Sequence, residues 1–188
     1  MGTGKKLLIA FHGFGNNADI FQPLAEAIGS EYTTVSIDLP GHGKTNWSTR
    51  YFKKKDLMAI VQGIKNEFGV EQLSLIGYSL GAMFLAKYLN NSPLSKPVEA
   101  LILIAPTYDD DSNEDLGSFK VESATGLEKN AQTVYLFHSE DDPVSPFGEL
   151  AKFQHDIPTA VTYIFKDRNH FFQPTFPELV EIIDQSSS

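Results

Sequence analysis

The stretch Leu73-Ser74-Leu75-Ile76-Gly77-Tyr78-Ser79-Leu80-Gly81-Ala82-Met83-Phe84-Leu85 decides how the rest of the chain is read. Leu73 to Ile76 has the short apolar pattern of a strand buried on both faces, and Leu80 to Leu89 that of a buried helix. Between them stands a serine with a glycine two residues away on each side. A tight strand-to-helix turn needs small residues at both flanks, because side chains there meet neighbouring backbone, and the turn lifts the serine hydroxyl above the sheet. The helix that follows aims its first amides at the same place. Three fixed residues at average frequencies recur by chance in about one chain in twenty of this length. The flanking strand and helix supply the context that raises the motif above chance.

Working outward, short apolar runs alternate with helical spacing, the pattern of a parallel sheet with crossover helices. Strands are expected at Lys6–Phe11, Tyr32–Ile37, Leu73–Ile76, Ala100–Ala105, Thr133–Phe137 and Val161–Phe165. Helices are expected at Ile20–Ile28, Asp56–Phe68, Leu80–Leu89, Phe147–Gln154 and Pro177–Ile183. In the second of these, Leu57, Ile60, Val61, Ile64 and Phe68 recur at three and four residues, a stripe that faces a sheet. The expected fold is α/β: a three-layer sandwich around a mainly parallel six-stranded sheet. Thr107 to Asn130 has no strong period and reads as a connection with room for one short helix.

Composition fits one domain over residues 1–188. The chain is 41% hydrophobic and 21% charged, which excludes disordered, collagenous and disulfide-scaffold classes. A net charge of −9 repels phosphate backbones, so nucleic acid is not an expected partner. There is no cysteine, hence no thiol nucleophile or thiolate-bound zinc. Chemistry without cofactor or metal is the expectation. Only five apolar residues, Leu7 to Phe11, follow Lys5 and Lys6, too few for a signal-peptide core. No run reaches the roughly 18 apolar residues of a membrane span. A cytoplasmic protein with no membrane association is expected.

An activated serine needs a base, and the base an orienting acid. Of His12, His42, His138, His155 and His170, only His170 follows both Ser79 and the last expected strand while preceding the last helix. That completes the chain order serine, acid, histidine found on this type of sheet. The acid then belongs after the preceding strand, in His138-Ser139-Glu140-Asp141-Asp142-Pro143-Val144-Ser145-Pro146. Asp142 is the first choice, with Asp141 as the adjacent alternative and Asp109 to Asp111 as a more distant one.

At this point the chain resembles the α/β-hydrolases over nearly its whole length. His12-Gly13-Phe14-Gly15 is similar to the family's oxyanion loop, and Asp38-Leu39-Pro40-Gly41-His42-Gly43 to its turn after the next strand. The serine turn, Asp142-Pro143-Val144-Ser145-Pro146 and Asn169-His170-Phe171-Phe172 complete the set. The first two strands of the larger family pattern have no counterpart, and no cap domain fits between Thr107 and Asn130. The resemblance implies that His170 takes the Ser79 proton, that Asp142 orients the imidazole and that Ser79 attacks an acyl carbonyl. The backbone amides of Phe14 and Leu80 would receive the oxyanion. Residues up to about Ala105 look like cap-bearing members. Tyr108 onward is similar to small cap-free serine hydrolases of the retinoblastoma-binding protein 9 type, which leaves a chain joined from two sources as a reading.

Without a cap the site is expected to be open, bordered by Phe14, Trp47, Tyr78, Phe147 and Phe171. Small activated esters are the expected substrates, with weak selectivity and poor turnover of long lipids. The alternative is a binding protein or joined scaffold of the same fold with little catalysis, since fold alone does not decide function. Two further motifs are decoys. Gly43-Lys44-Thr45 mimics the end of a phosphate-binding loop, but Asp38 stands where its first glycine belongs. Asp111, Asn113, Asp115 and Glu122 match calcium-loop spacing, but Leu116 replaces the glycine that its sharp turn needs. His12 is expected to shape the oxyanion loop, and His42, His138 and His155 to be structural or exposed.

Overall fold

Every expected apolar run forms a strand, and every described pairing between them is parallel. The computed structural model describes residues 4–39, 41–45, 54–70, 72–91, 94–109, 120–173 and 175–185. Strands β1 (Lys6–Phe11), β2 (Tyr32–Ile37), β3 (Gln72–Tyr78), β4 (Val98–Ile104), β5 (Ala131–Ser139) and β6 (Val161–Phe165) lie in the order β2-β1-β3-β4-β5-β6. The five pairings described are all parallel, so the sheet is more uniform than "mainly parallel". Parallel strands need crossovers, and helices α1 (Gln22–Ala27), α2 (Lys54–Phe68), α3 (Leu80–Asn90), α4 (Gly148–Asp156) and α5 (Pro177–Gln185) lie between or after them.

The strands are apolar on both faces because both faces are covered. Leu7, Ile9, Phe11, Leu101 and Leu103 join α3 and α4 residues such as Phe84, Leu85, Leu150 and Phe153 in one core. Leu8, Ala10, Ile102 and Ile104 join Leu24 of α1 and Leu179, Ile182 and Ile183 of α5 in the other. Period-two alternation along each strand thus divides the core into two layers. The three-layer sandwich follows.

The expected helix at Ile20–Ile28 is broken. A 3₁₀ turn spans Ala18–Phe21, capped by the Asn17 side chain, which accepts the Asp19 amide. The α-helix starts only at Gln22, with Pro23 in its first turn. Proline lacks an N–H and is tolerated there but not deeper, so it fixes where the α register can begin. Between β4 and β5 the described residues contain one 3₁₀ turn, Leu127–Lys129.

The topology also locates the site. Strand β1 lies between β2 and β3, so the chain leaves β1 toward one edge and later returns on its other side at β3. Loops at such a reversal part and leave a crevice at the carboxyl ends of the strands. The segments that follow β1 and β3 are His12-Gly13-Phe14 and Ser79.

Candidate active site

Strand β3 runs to Tyr78, further than the sequence indicates, and α3 begins at Leu80. One residue, Ser79, turns the corner. It does so with φ 50° and ψ −115°, a left-handed conformation that a residue with a Cβ adopts at a cost of about 1–3 kcal/mol. The Ser79 amide is held by the Ile104 carbonyl at 2.8 Å. A Cβ at Gly77 would lie 2.6 Å from the backbone of Ala82, and one at Gly81 2.6 Å from the Phe11 carbonyl carbon and 2.8 Å from the His12 oxygen. Both glycines are therefore required by backbone packed against backbone. Gly81→Ala is expected to destabilise the fold by at least about 1–3 kcal/mol through overpacking, read as a lower urea midpoint. An unchanged midpoint would mean that α3 can withdraw from β1 freely.

Three side chains far apart in sequence meet above this turn. His170 Nε2 lies 2.8 Å from Ser79 Oγ. On its other side, His170 Nδ1 lies 2.8 Å from Asp142 Oδ2 and 3.0 Å from Oδ1. A carboxylate only accepts, so Nδ1 carries the proton and Nε2 is left to accept the serine hydroxyl. Asp142 Oδ1 also accepts the amides of Val144 and Ser145, each at 2.8 Å. Ser145 Oγ donates to the Pro106 carbonyl at 3.0 Å and accepts from Thr107 Oγ1 at 3.0 Å. The acid loop is thereby tied to the end of β4. Asp141 does not reach the imidazole; it accepts the Asn169 amide and the Ser139 hydroxyl. Asp109 is paired with Lys152, while Asp110 and Asp111 lie outside the described residues.

The serine's other flank is the segment after β1. A Cβ on Gly13 would lie 3.1 Å from Ser79 Cβ and 2.9 Å from the Tyr78 ring, so this backbone runs directly against the serine. Leu80 is the first residue of α3, and its amide has no intrahelical acceptor. His12 is fully buried and bonded to backbone at both ring nitrogens: Nδ1 donates to the Gly13 carbonyl at 2.7 Å, and Nε2 accepts the Leu39 amide at 2.9 Å. Burial holds its pKa below the ordinary histidine value, in keeping with a neutral ring that shapes the loop. Asp38 accepts the amides of Ala18 at 2.7 Å and Lys44 at 2.9 Å, and the Lys44 and Ala18 amides lower its pKa. The Lys44 amide that a phosphate loop would offer its ligand is therefore engaged by Asp38.

The aromatic residues separate into two groups. Tyr78 and Phe171 are 2% and 3% exposed and belong to the second core layer. They lie under the site rather than along an open wall, Tyr78 at the end of β3 and Phe171 at a backbone position with φ 52°. Tyr78 OH donates to the His170 carbonyl at 2.6 Å; burial, with the Asp142 charge, pushes its pKa up to about 12, so it remains a donor. Phe14, Phe147 and Phe172 are exposed, at 72%, 37% and 66%. Phe172, which sequence reading passed over for its neighbour, places its ring centroid 5.6 Å from that of His170. Trp47 lies outside the described residues, as do Asp111, Asn113 and Asp115. Among the described residues no group of three or more His, Asp or Glu side chains could hold a metal. No described helix is long and apolar enough to cross a membrane.

A model of the alpha/beta hydrolase fold matches residues 6–133. The chain belongs to the alpha/beta hydrolase family. Among relatives of this alpha/beta hydrolase, a probable serine hydrolase of Drosophila melanogaster is 31% identical over 100 residues, 52% of this chain and 30% of that protein. The pimeloyl-(acyl-carrier protein) methyl ester esterase of Proteus mirabilis is 28% identical over 105 residues, 56% of this chain and 38% of the esterase. The matched parts are thus about a third of the length of these relatives. Among solved structures, the ydeN gene product of B. subtilis superposes with a TM-score of 0.73 at 15% identity, covering 97% of this chain and 98% of that one. An esterase of Exiguobacterium antarcticum gives 0.73 at 15% identity, covering 100% and 94%. These two likenesses speak for the fold alone.

Proposed function

We propose that this alpha/beta hydrolase cleaves small carboxylic esters through an acyl-enzyme on Ser79. The observation that carries the reading is the unbroken line from Asp142 through His170 to Ser79 Oγ, with its 2.8 Å contact at the serine. As Ser79 Oγ attacks the acyl carbonyl carbon, its proton passes to His170 Nε2. The imidazolium is stabilised by Asp142, and the carbonyl oxygen, now an anion, is received by the amides of Phe14 and Leu80. Each such donor contributes about 2.7–4 kcal/mol of transition-state stabilisation. Collapse expels the alcohol, which takes the proton from His170. Water then repeats the sequence on the acyl-serine and regenerates Ser79. The serine hydrolase and esterase names of the relatives support the reaction class.

A fluorophosphonate probe tests the reading, because it reacts covalently only with an activated serine. Labelling of native protein at Ser79, absent after heat denaturation, is the expected result. No labelling of a folded sample would favour the alternative, a binding protein that retains these residues without catalysis. For a chain joined from two sources, Ser79 and His170 would come from opposite sides of the join; their hydrogen bond supports the hydrolase reading in that case too.

The exposed Phe14 and Phe172 give the site an apolar rim that suits a short acyl chain. Phe172→Ala is expected to raise KM for p-nitrophenyl butyrate about three- to tenfold with kcat little changed, as for loss of binding equal in ground and transition states. Steady-state kinetics check this, and an unchanged KM would remove Phe172 from the acyl site.

A further inference from the structure

Asp141 is next to the acid in sequence but grips a different part of the base. Its Oδ1 accepts the Asn169 amide at 2.9 Å and the Ser139 hydroxyl at 2.6 Å. Ser139 Oγ in turn accepts the Arg168 amide at 3.0 Å. Both amides immediately upstream of His170 are therefore held from the end of β5. Downstream, the Phe171 amide closes onto the Arg168 carbonyl at 2.9 Å, and Tyr78 OH holds the His170 carbonyl. The gripped turn is an unfavourable one, with φ 49° at Asn169 and 52° at Phe171. Such backbone persists only where surrounding contacts over-determine it. The two donors on Asp141, the Ser139 hydroxyl first, also hold its carboxyl below the usual carboxylate range.

We propose that Asp141 is a positioning residue: its carboxylate fixes the turn that carries His170, and thereby sets where Nε2 meets Ser79. Asp142 aligns the ring; Asp141 aligns the backbone from which the ring hangs. One dipeptide after β5 thus locates the base twice. The inference rests on the serine-hydrolase reading, in which an error near 1 Å in the placement of a reacting group can cost about a hundredfold in rate.

The test compares Asp141→Ala and Asp141→Asn in the full chain. Asp141 is exposed, so neither change disturbs the core, and the asparagine Oδ1 still accepts both hydrogen bonds. With p-nitrophenyl acetate, and rates expressed per serine titrated by the fluorophosphonate, Asp141→Ala is expected to lower kcat about ten- to hundredfold and to leave KM within about twofold. Asp141→Asn is expected to stay within about threefold of native. Independently of turnover, the downfield proton resonance of His170 Nδ1 should be sharp in native protein and Asp141→Asn, and broadened or shifted in Asp141→Ala. Native kcat and a native resonance in Asp141→Ala, or Asp141→Asn as impaired as Asp141→Ala, would overturn the proposal. If Ser79→Ala hydrolyses the ester as fast as native protein, the hydrolase reading fails and the resonance alone decides the positioning claim.

Discussion

Ser79→Ala is expected to lower the rate of p-nitrophenyl acetate and butyrate hydrolysis by at least about 10⁴-fold, to the background left by oxyanion stabilisation and binding. The size follows from what the hydroxyl does in the proposed reaction: it is the atom that forms the new bond, and no other described nucleophile lies within hydrogen-bonding distance of His170 Nε2. The substitution is also a clean one. Alanine keeps the Cβ and so inherits the same strained corner at φ 50°, and among the described residues the lost hydroxyl bonds only to the imidazole. The thermal midpoint should therefore stay within a few degrees of native. Equal hydrolysis by the two proteins would remove Ser79 from the chemistry.

Asp142→Asn is expected to cost about 10⁴-fold in kcat at neutral pH with the fold intact. The amide oxygen can still accept the Val144 and Ser145 amides that the carboxylate accepts now. Its nitrogen then faces His170 Nδ1 as a donor. The imidazole must switch tautomer, and Nε2 turns from acceptor to donor toward Ser79 Oγ. The base is lost although the geometry survives. Kinetics beside Asp141→Asn separate the neighbouring carboxylates: a loss below tenfold in Asp142→Asn would show that the imidazole is oriented without it.

The elements legible in the sequence are those set by short-range pattern. Gly77, Ser79 and Gly81 announce the turn by their spacing, although the collisions that demand Gly81 come from distant Phe11 and His12 and only those at Gly77 from nearby Ala82, and the buried strands announce themselves by apolar runs. The parts that were not legible depend on which way a turn faces. Asp141 and Asp142 are chemically alike, and the turn after β5 directs one at the imidazole and the other at the Asn169 amide. Phe171 and Phe172 are identical residues, yet the first is buried in the core and the second is exposed beside His170. The break in the expected Ile20–Ile28 helix was marked by Pro23, although apolar spacing alone ran through it. Asn17 supplied the cap that made the preceding 3₁₀ turn the better start.

The contacts of the serine and those of its base are drawn from different stretches of the chain. The elbow is closed by residues that all precede His170 in the chain: Phe11 and His12, Ala82, and Ile104 one strand later. The imidazole that would withdraw the serine proton arrives 91 residues after Ser79, beyond β6 and just ahead of the final helix. In the proposed reaction, loss of order beyond β6 alone would remove the proton acceptor and leave the serine chemically silent with its own neighbours untouched.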